Sequence, residues 1–231
     1  MDLYKEKYIG FGPTLAAEKL LDLDGIAISD ETLRLWLNQE GMVYKRRKAR
    51  PHRQWRQRKE HAGQMMQMDG SHHDWLEGRG PKLVLMACID DATNRIYARF
   101  NDYEGTLPAL DLLKRYVRRY GIPQSIYLDR HTTYKSNGKL SIEEQLSGAD
   151  PFKSQFERAM GDLAVIVIHA NSPQAKGRIE RLFRTFQDRV IKEMRLRNIC
   201  TKGEANRFLG WYIPLYGDFH IPTGPDPVGD C

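Results

Sequence analysis

KLVLMACIDDATNRIYARF, residues 82–100, decides the fold. Lys82–Ile89 is an almost unbroken apolar run of strand length, Asn94–Phe100 follows as its partner, and DDATN between them is built of turn formers. Two strands so joined make an antiparallel hairpin, and a run that is apolar at nearly every position is covered on both faces. Upstream, Gln64–Asp69 (QMMQMD) reads as a third strand, ending in an acid. Downstream, a helix starts at Thr106 as its N-cap, turns Leu110, Leu113, Val117 and Tyr120 to one face, and ends at Gly121-Ile-Pro123. Ser125–Asp129 (SIYLD) is a short strand that again ends in an acid, and Arg130–Ala149 has no pattern and reads as looped out. Asp150-Pro151 opens a helix bearing Phe152, Phe156, Ala159, Met160 and Leu163, and Ala164–Ile168 (AVIVI) reads as a fully buried strand. A last helix begins near Pro173 and carries Ile179, Leu182, Phe183 and Phe186 as a core stripe. The order β-β-β-α-β-α-β-α predicts an α/β unit with a mixed five-stranded sheet flanked by helices.

Ahead of this unit, Pro13 starts one short helix with Leu15, Leu20, Leu21 and Leu23. A second follows the turn DLDGIAIS, with Ser29 as N-cap and Leu33, Trp36 and Leu37 on one face. Such a pair is either a plain helical hairpin or a helix-turn-helix, in which Thr32, Arg34 and Asn38 occupy the exposed face of the second helix. A third, supporting helix is expected to be missing from the start of the chain. Residues 45–59, KRRKARPHRQWRQRK, hold nine Lys or Arg and no acid, against a net charge of +6 for all 231 residues. The positive charge is therefore one block, and Lys45, Arg46, Arg47, Lys48, Arg50 and Arg53 with Trp55 among them suit nucleic-acid phosphates. The domain reading is 1–44 helix-turn-helix region, 45–61 basic linker, 62–220 catalytic core and 221–231 tail.

No run of 18 uncharged apolar residues is present, and the first residues lack the apolar centre of a signal peptide, so the expected location is cytoplasmic, without a membrane. Cys88, Cys200 and Cys231 are odd in number and far apart, which fits neither a disulfide framework nor a zinc site. Three acids stand out by position instead. Asp69 and Asp129 close strands, and Glu180 sits in a strongly basic helix beside Lys176, Arg178, Arg181 and Arg184. Glu180 alone reads equally as a surface acid in i,i+4 pairs. Three carboxylates at one sheet edge would repel one another without a cation, and hard oxygen ligands suit Mg²⁺ or Mn²⁺. Two such ions about 3.5–4 Å apart serve phosphodiester chemistry.

QMDGSHHDWLEGRGP around Asp69, CIDDATNRIYARF in the hairpin, YLDRHTTY around Asp129 and NSPQAKGRIERLFRTFQDRV around Glu180 together resemble the integrase catalytic core of DDE transposases. The similarity runs from the helix-turn-helix to about residue 220 and is greatest to insertion-sequence transposases of the ISNCY group, in the retroviral integrase superfamily. That resemblance implies an RNase H-like fold, Asp69, Asp129 and Glu180 as catalytic and metal-binding triad, and a two-metal site for Mg²⁺ or Mn²⁺. It further implies metal-dependent DNA cleavage and strand transfer during transposition, homo-oligomers on DNA, and a bacterial, nucleoid-associated protein. Arg34, Lys176, Arg178, Arg181 and Arg184 join the basic block as DNA contacts. Asp90 and Asp91 match the hairpin turn and are structural; Asp74 and Glu77 are minor metal candidates, and Glu143 or Glu144 is the alternative to Glu180. The interval between Asp129 and Glu180 exceeds the superfamily's usual one, and related transposases continue beyond Cys231. The second reading is accordingly a catalytically inactive DNA-binding remnant of a transposase, and the third a host RNase H-like nuclease.

Overall fold

The structure, a computed structural model, describes residues 1–42, 57–129, 154–169 and 177–220. Three strands open the sheet: β1 (Met66–His73), β2 (Leu83–Asp90) and β3 (Ile96–Asn101). The helix α4 (Thr106–Tyr120) leads to β4 (Ser125–Leu128), and α5 (Gln155–Asp162) leads to β5 (Ile166–His169). Two long helices, α6 (Gly177–Leu196) and α7 (Lys202–His220), complete the unit. The order across the sheet is β3-β2-β1-β4-β5, antiparallel among β1–β3 and parallel for β1/β4 and β4/β5. This is the mixed five-stranded arrangement expected from the sequence.

Strand β2 is buried at all eight positions, and its alternation sorts the two halves of the core. Leu83, Leu85, Ala87 and Ile89 join the α6 and α7 side with Ile179, Phe186 and Phe208. Val84, Met86 and Cys88 join the α4 and α5 side with Leu112, Phe156 and Met160. Period-2 side-chain geometry on an all-apolar strand therefore produces a three-layer molecule. Asp90 builds the hairpin turn: its Oδ1 accepts from the backbone N–H of Ala92 (3.1 Å) and Thr93 (2.8 Å) and from the Thr93 hydroxyl (2.8 Å). Asn94 takes φ 58°, a left-handed conformation that asparagine tolerates.

Several local expectations are corrected. Strand β1 does not end at Asp69 but runs to His73, because β2 stays paired with it as far as Leu83. Residues Ala164–Ile168 are not a fully buried strand: Ala164 is a left-handed turn residue and Ile166 is 65% exposed. The cause is topological, since β5 is the outer strand. Thr106 is the first residue of α4 and not its cap, and the buried stripe is Ala109, Leu112, Leu113 and Tyr116. Helix α5 is started by Ser154 through a capping box with Glu157; the expected start at Asp150-Pro151 lies outside the described residues, as does that of α6 near Pro173.

The N-terminal helices α1 (Asp2–Lys7), α2 (Pro13–Asp24) and α3 (Asp30–Gln39) have their own core of Tyr4, Tyr8, Phe11, Leu15, Leu20, Leu33 and Leu37. The short helix α1 contributes Tyr4 to this core. Of the apolar residues singled out on these helices, Leu21, Leu23 and Trp36 are 55%, 50% and 44% exposed. Ser29 caps α3 as expected, accepting from the Thr32 N–H at 3.0 Å. The unit is fastened to the far half of α6. Arg189 donates both arms to Glu18 (2.8 and 2.7 Å), and Lys19 lies 3.0 Å from buried Glu193.

Candidate active site

Two of the three singled-out acids are neighbours by register. Parallel β1 and β4 pair Met66 with Ile126 and Gln67 with Tyr127, and two positions farther along each chain stand Asp69 and Asp129. Adjacent strands lie about 4.8 Å apart. Met66, Met68, Ile126 and Leu128 all face the α4 and α5 side. Alternation thus turns Gln67 and Asp69 to the opposite face, the one α6 covers, and Asp129 directly follows the last residue of β4.

Helix α6 lies along β1, held at two points. Near its start the Ile179 N–H donates to Gln67 Oε1 (3.3 Å), and two turns later Gln187 Nε2 donates to Ser71 Oγ (3.1 Å). Eight helical residues and four strand residues both span about 12–13 Å, so helix and strand run side by side with Asp69 midway. Glu180 is exposed on the first described turn. Arg178 reaches from that turn to Asp91 on the hairpin side, its Nη1 2.8 Å from Asp91 Oδ1. Two residues on, a helix has turned through about 200°, which directs Glu180 away from the hairpin and toward β4. Asp69 thus lies on the α6 side of the sheet, Glu180 on the first described turn of α6, and Asp129 at the end of the strand next to β1. They are not drawn together: among the described residues no group of three His, Cys, Asp or Glu side chains could hold a metal ion.

Asp129 is braced from behind. The ring of His169, at the end of β5, places Nδ1 3.4 Å from the Asp129 carbonyl oxygen and Nε2 3.1 Å from Glu157 Oε1. Glu157 is held in turn by the α5 cap, its Oε2 accepting the Ser154 N–H at 2.8 Å. Burial alone would raise the Glu157 pKa, but the hydrogen bonds from Ser154 and His169 outweigh it and hold the carboxyl below its ordinary value.

The cations divide into two groups. Arg181 is pushed below its usual pKa by burial and by the positive charges of Arg58 and Arg184. Arg34 is exposed on α3 beside Asp30 and Glu31. Arg178 departs from the expectation of a DNA contact, because its side chain is only 14% exposed and pairs with fully buried Asp91. Lys45, Arg46, Arg47, Lys48, Arg50, Arg53 and Lys176, like Glu143 and Glu144, lie outside the described residues. Asp90 and Asp91 are structural, as expected. Asp74 accepts the Gly78 N–H and Glu77 pairs with Arg79 and Arg195, which spends both on the loop after β1 and its contact with α6. Sequence reading passed over Gln67, Arg58, Glu157 and His169. Gln67 alone left a signal, as a polar residue in an apolar strand two places before Asp69.

No family model matches the chain. The putative transposase y4bF of Sinorhizobium fredii is 39% identical over 244 aligned positions, which take in 100% of this chain and 52% of that protein. The chain is a homologue of transposases. The transposase for insertion sequence IS1202 of Streptococcus pneumoniae is 35% identical over 71% of this chain and 34% of its own length. The transposase homologue thus spans about half the length of the first relative and a third of the second. Among solved structures, a chain of the simian T-cell lymphotropic virus intasome in complex with the PP2A regulatory subunit B56 gamma aligns at 17% identity and TM-score 0.52. That alignment covers 100% of the transposase homologue and 77% of the viral chain, and what it shares is the RNase H-like fold.

Proposed function

We propose that this chain is the catalytic region of a DDE-type DNA transposase, cutting DNA at element ends and joining the freed 3′ hydroxyl to a target phosphodiester. The observation that carries this reading is the placement of Asp69 on β1 and of Asp129 directly after the parallel neighbour β4, with Glu180 on the helix that covers β1, in a homologue of transposases. The donor set is hard oxygen from three carboxylates, which suits Mg²⁺ or Mn²⁺. Asp69, Asp129 and Glu180 would hold the ions. Divalent cations held there would supply activation of the attacking oxygen and charge stabilisation of the leaving oxygen.

The protein's own part is to bind and orient DNA. Arg181 and Arg184 are exposed on the helix that carries Glu180, and Arg58 adds its charge to theirs; like charges so arranged are stabilised by an anion such as a DNA phosphate. Lys176 and the block from Lys45 to Arg53 extend the phosphate-binding stretch in sequence. On this reading α2 and α3 form a helix-turn-helix whose exposed Thr32, Arg34 and Asn38 meet the duplex. The protein works as a homo-oligomer on paired ends, in the bacterial cytoplasm and at the nucleoid. Incubation of the chain with transposon-end duplexes and Mg²⁺ or Mn²⁺ should give nicking and strand transfer. Asp69→Asn should abolish both while leaving DNA affinity within about twofold; a variant as active as wild type removes the triad from the mechanism.

A further inference from the structure

We propose that Arg178 is a positioning residue, which with Asp91 and Gln67 bolts the first turn of α6, and so Glu180, to the strand that carries Asp69. The inference deepens the reading of the site given above and rests on it.

The bolt is a polar cluster inside an apolar interface. Asp91 is 0% exposed and Gln67 1%. Asp91 Oδ1 accepts both from Arg178 Nη1 (2.8 Å) and from Gln67 Nε2 (3.2 Å). Gln67 then uses its other end, Oε1, to accept the Ile179 N–H at 3.3 Å. That N–H belongs to the first turn of a helix, where backbone donors have no partner within the helix itself. Asp91 is fixed on its own side too: its Oδ2 accepts the Lys59 N–H at 2.9 Å, and its N–H donates to the Met65 carbonyl at 2.9 Å.

Each member therefore meets a specific need of another. The guanidinium neutralises a buried carboxylate, the carboxylate orients the glutamine, and the glutamine receives the helix end. Glu180 is the next residue after Ile179, and Asp69 lies two residues beyond Gln67 on the same strand face. The cluster thereby sets the separation of two acids that come from distant parts of the chain. A phosphate contact that drew Arg178 off Asp91 would break an ion pair to a fully buried carboxylate, which is destabilising. Arg181 and Arg184 on the same helix are exposed; Arg178 is not.

The test uses the full chain, a transposon-end duplex and two variants, Arg178→Gln and Gln67→Met. The salt dependence of DNA binding reads phosphate contacts, the single-turnover cleavage rate at saturating DNA reads active-site geometry, and amide hydrogen exchange at Ile179 reads the helix end. Both variants are expected to keep the wild-type salt slope, to lose at least about tenfold in saturated rate, and to exchange the Ile179 amide faster. A slope lowered by about one unit in Arg178→Gln with the saturated rate intact would make Arg178 a phosphate contact and overturn the proposal. Gln67→Met removes no charge and keeps the test open should Arg178→Gln fail to fold; a wild-type rate and unchanged exchange in that variant overturn the proposal as well. Failure of the wild-type chain itself to cut DNA would sink the transposase reading, which separates the two outcomes.

Discussion

At the scale of single residues, the site is defined as much by what holds the acids as by the acids. Asp129 follows the last residue of β4, and its backbone is met by His169, which Glu157 supports. Because the folded-state pKa of Glu157 is lowered, its contribution to stability is fully present above its unfolded value and is lost as pH falls through the folded value. Glu157→Gln should therefore flatten the acid limb of the stability curve, measured by thermal unfolding from about pH 6 down to pH 3; a limb as steep as the wild type's would remove Glu157 from the acid response. The same wiring shows why Glu157 and His169 were not legible in the sequence. They belong to α5 and β5, and nothing in QFERAMGD or IVIH says that the two meet at the backbone of Asp129. Asp69, Asp129 and Glu180 stand out in the sequence because each lies beside a regular pattern. The inward turn of Arg178 does not, since a basic helix reads the same whether one arginine faces a buried carboxylate or solvent.

At the scale of elements, hydrophobic period decided nearly everything that lies near the middle of the sheet and misjudged its margins. The wholly apolar β2 announced a strand covered on both faces. AVIVI looks the same in sequence, yet β5 is the last strand and leaves Ile166 exposed, because position in the sheet is set by pairing partners and not by local composition. The opposite edge, β3, is managed differently. Asn206 on α7 donates to the Phe100 carbonyl at 3.0 Å and accepts the Phe100 N–H at 2.9 Å, imitating a strand that is not there. Asn206→Leu should cost about 1–3 kcal/mol by stranding both backbone groups at a part-buried edge. Urea unfolding monitored by tryptophan fluorescence measures it; a change below about 0.5 kcal/mol would show that water replaces the side chain at no cost.

At the scale of the whole molecule, α6 is the common member. Its first turns carry Glu180 and lean on β1, while its far half holds the N-terminal helices through Arg189 with Glu18 and Lys19 with Glu193. The sequence showed both units but gave no sign of this joint, since the partners lie in segments separated by most of the chain and paired surface-type charges carry no address. At 1.5 Å per residue, Glu180 and Arg189 are about 13 Å apart along one continuous helix. The helix is thus a ruler: if α3 reads element ends, the number of base pairs between the bases it grips and the bond that is cut is fixed by a rod of protein. Duplexes with one or two base pairs inserted between the recognised sequence and the cleavage position should bind as well as the parent and be cut at the original distance from the gripped bases, one or two base pairs short of the original bond.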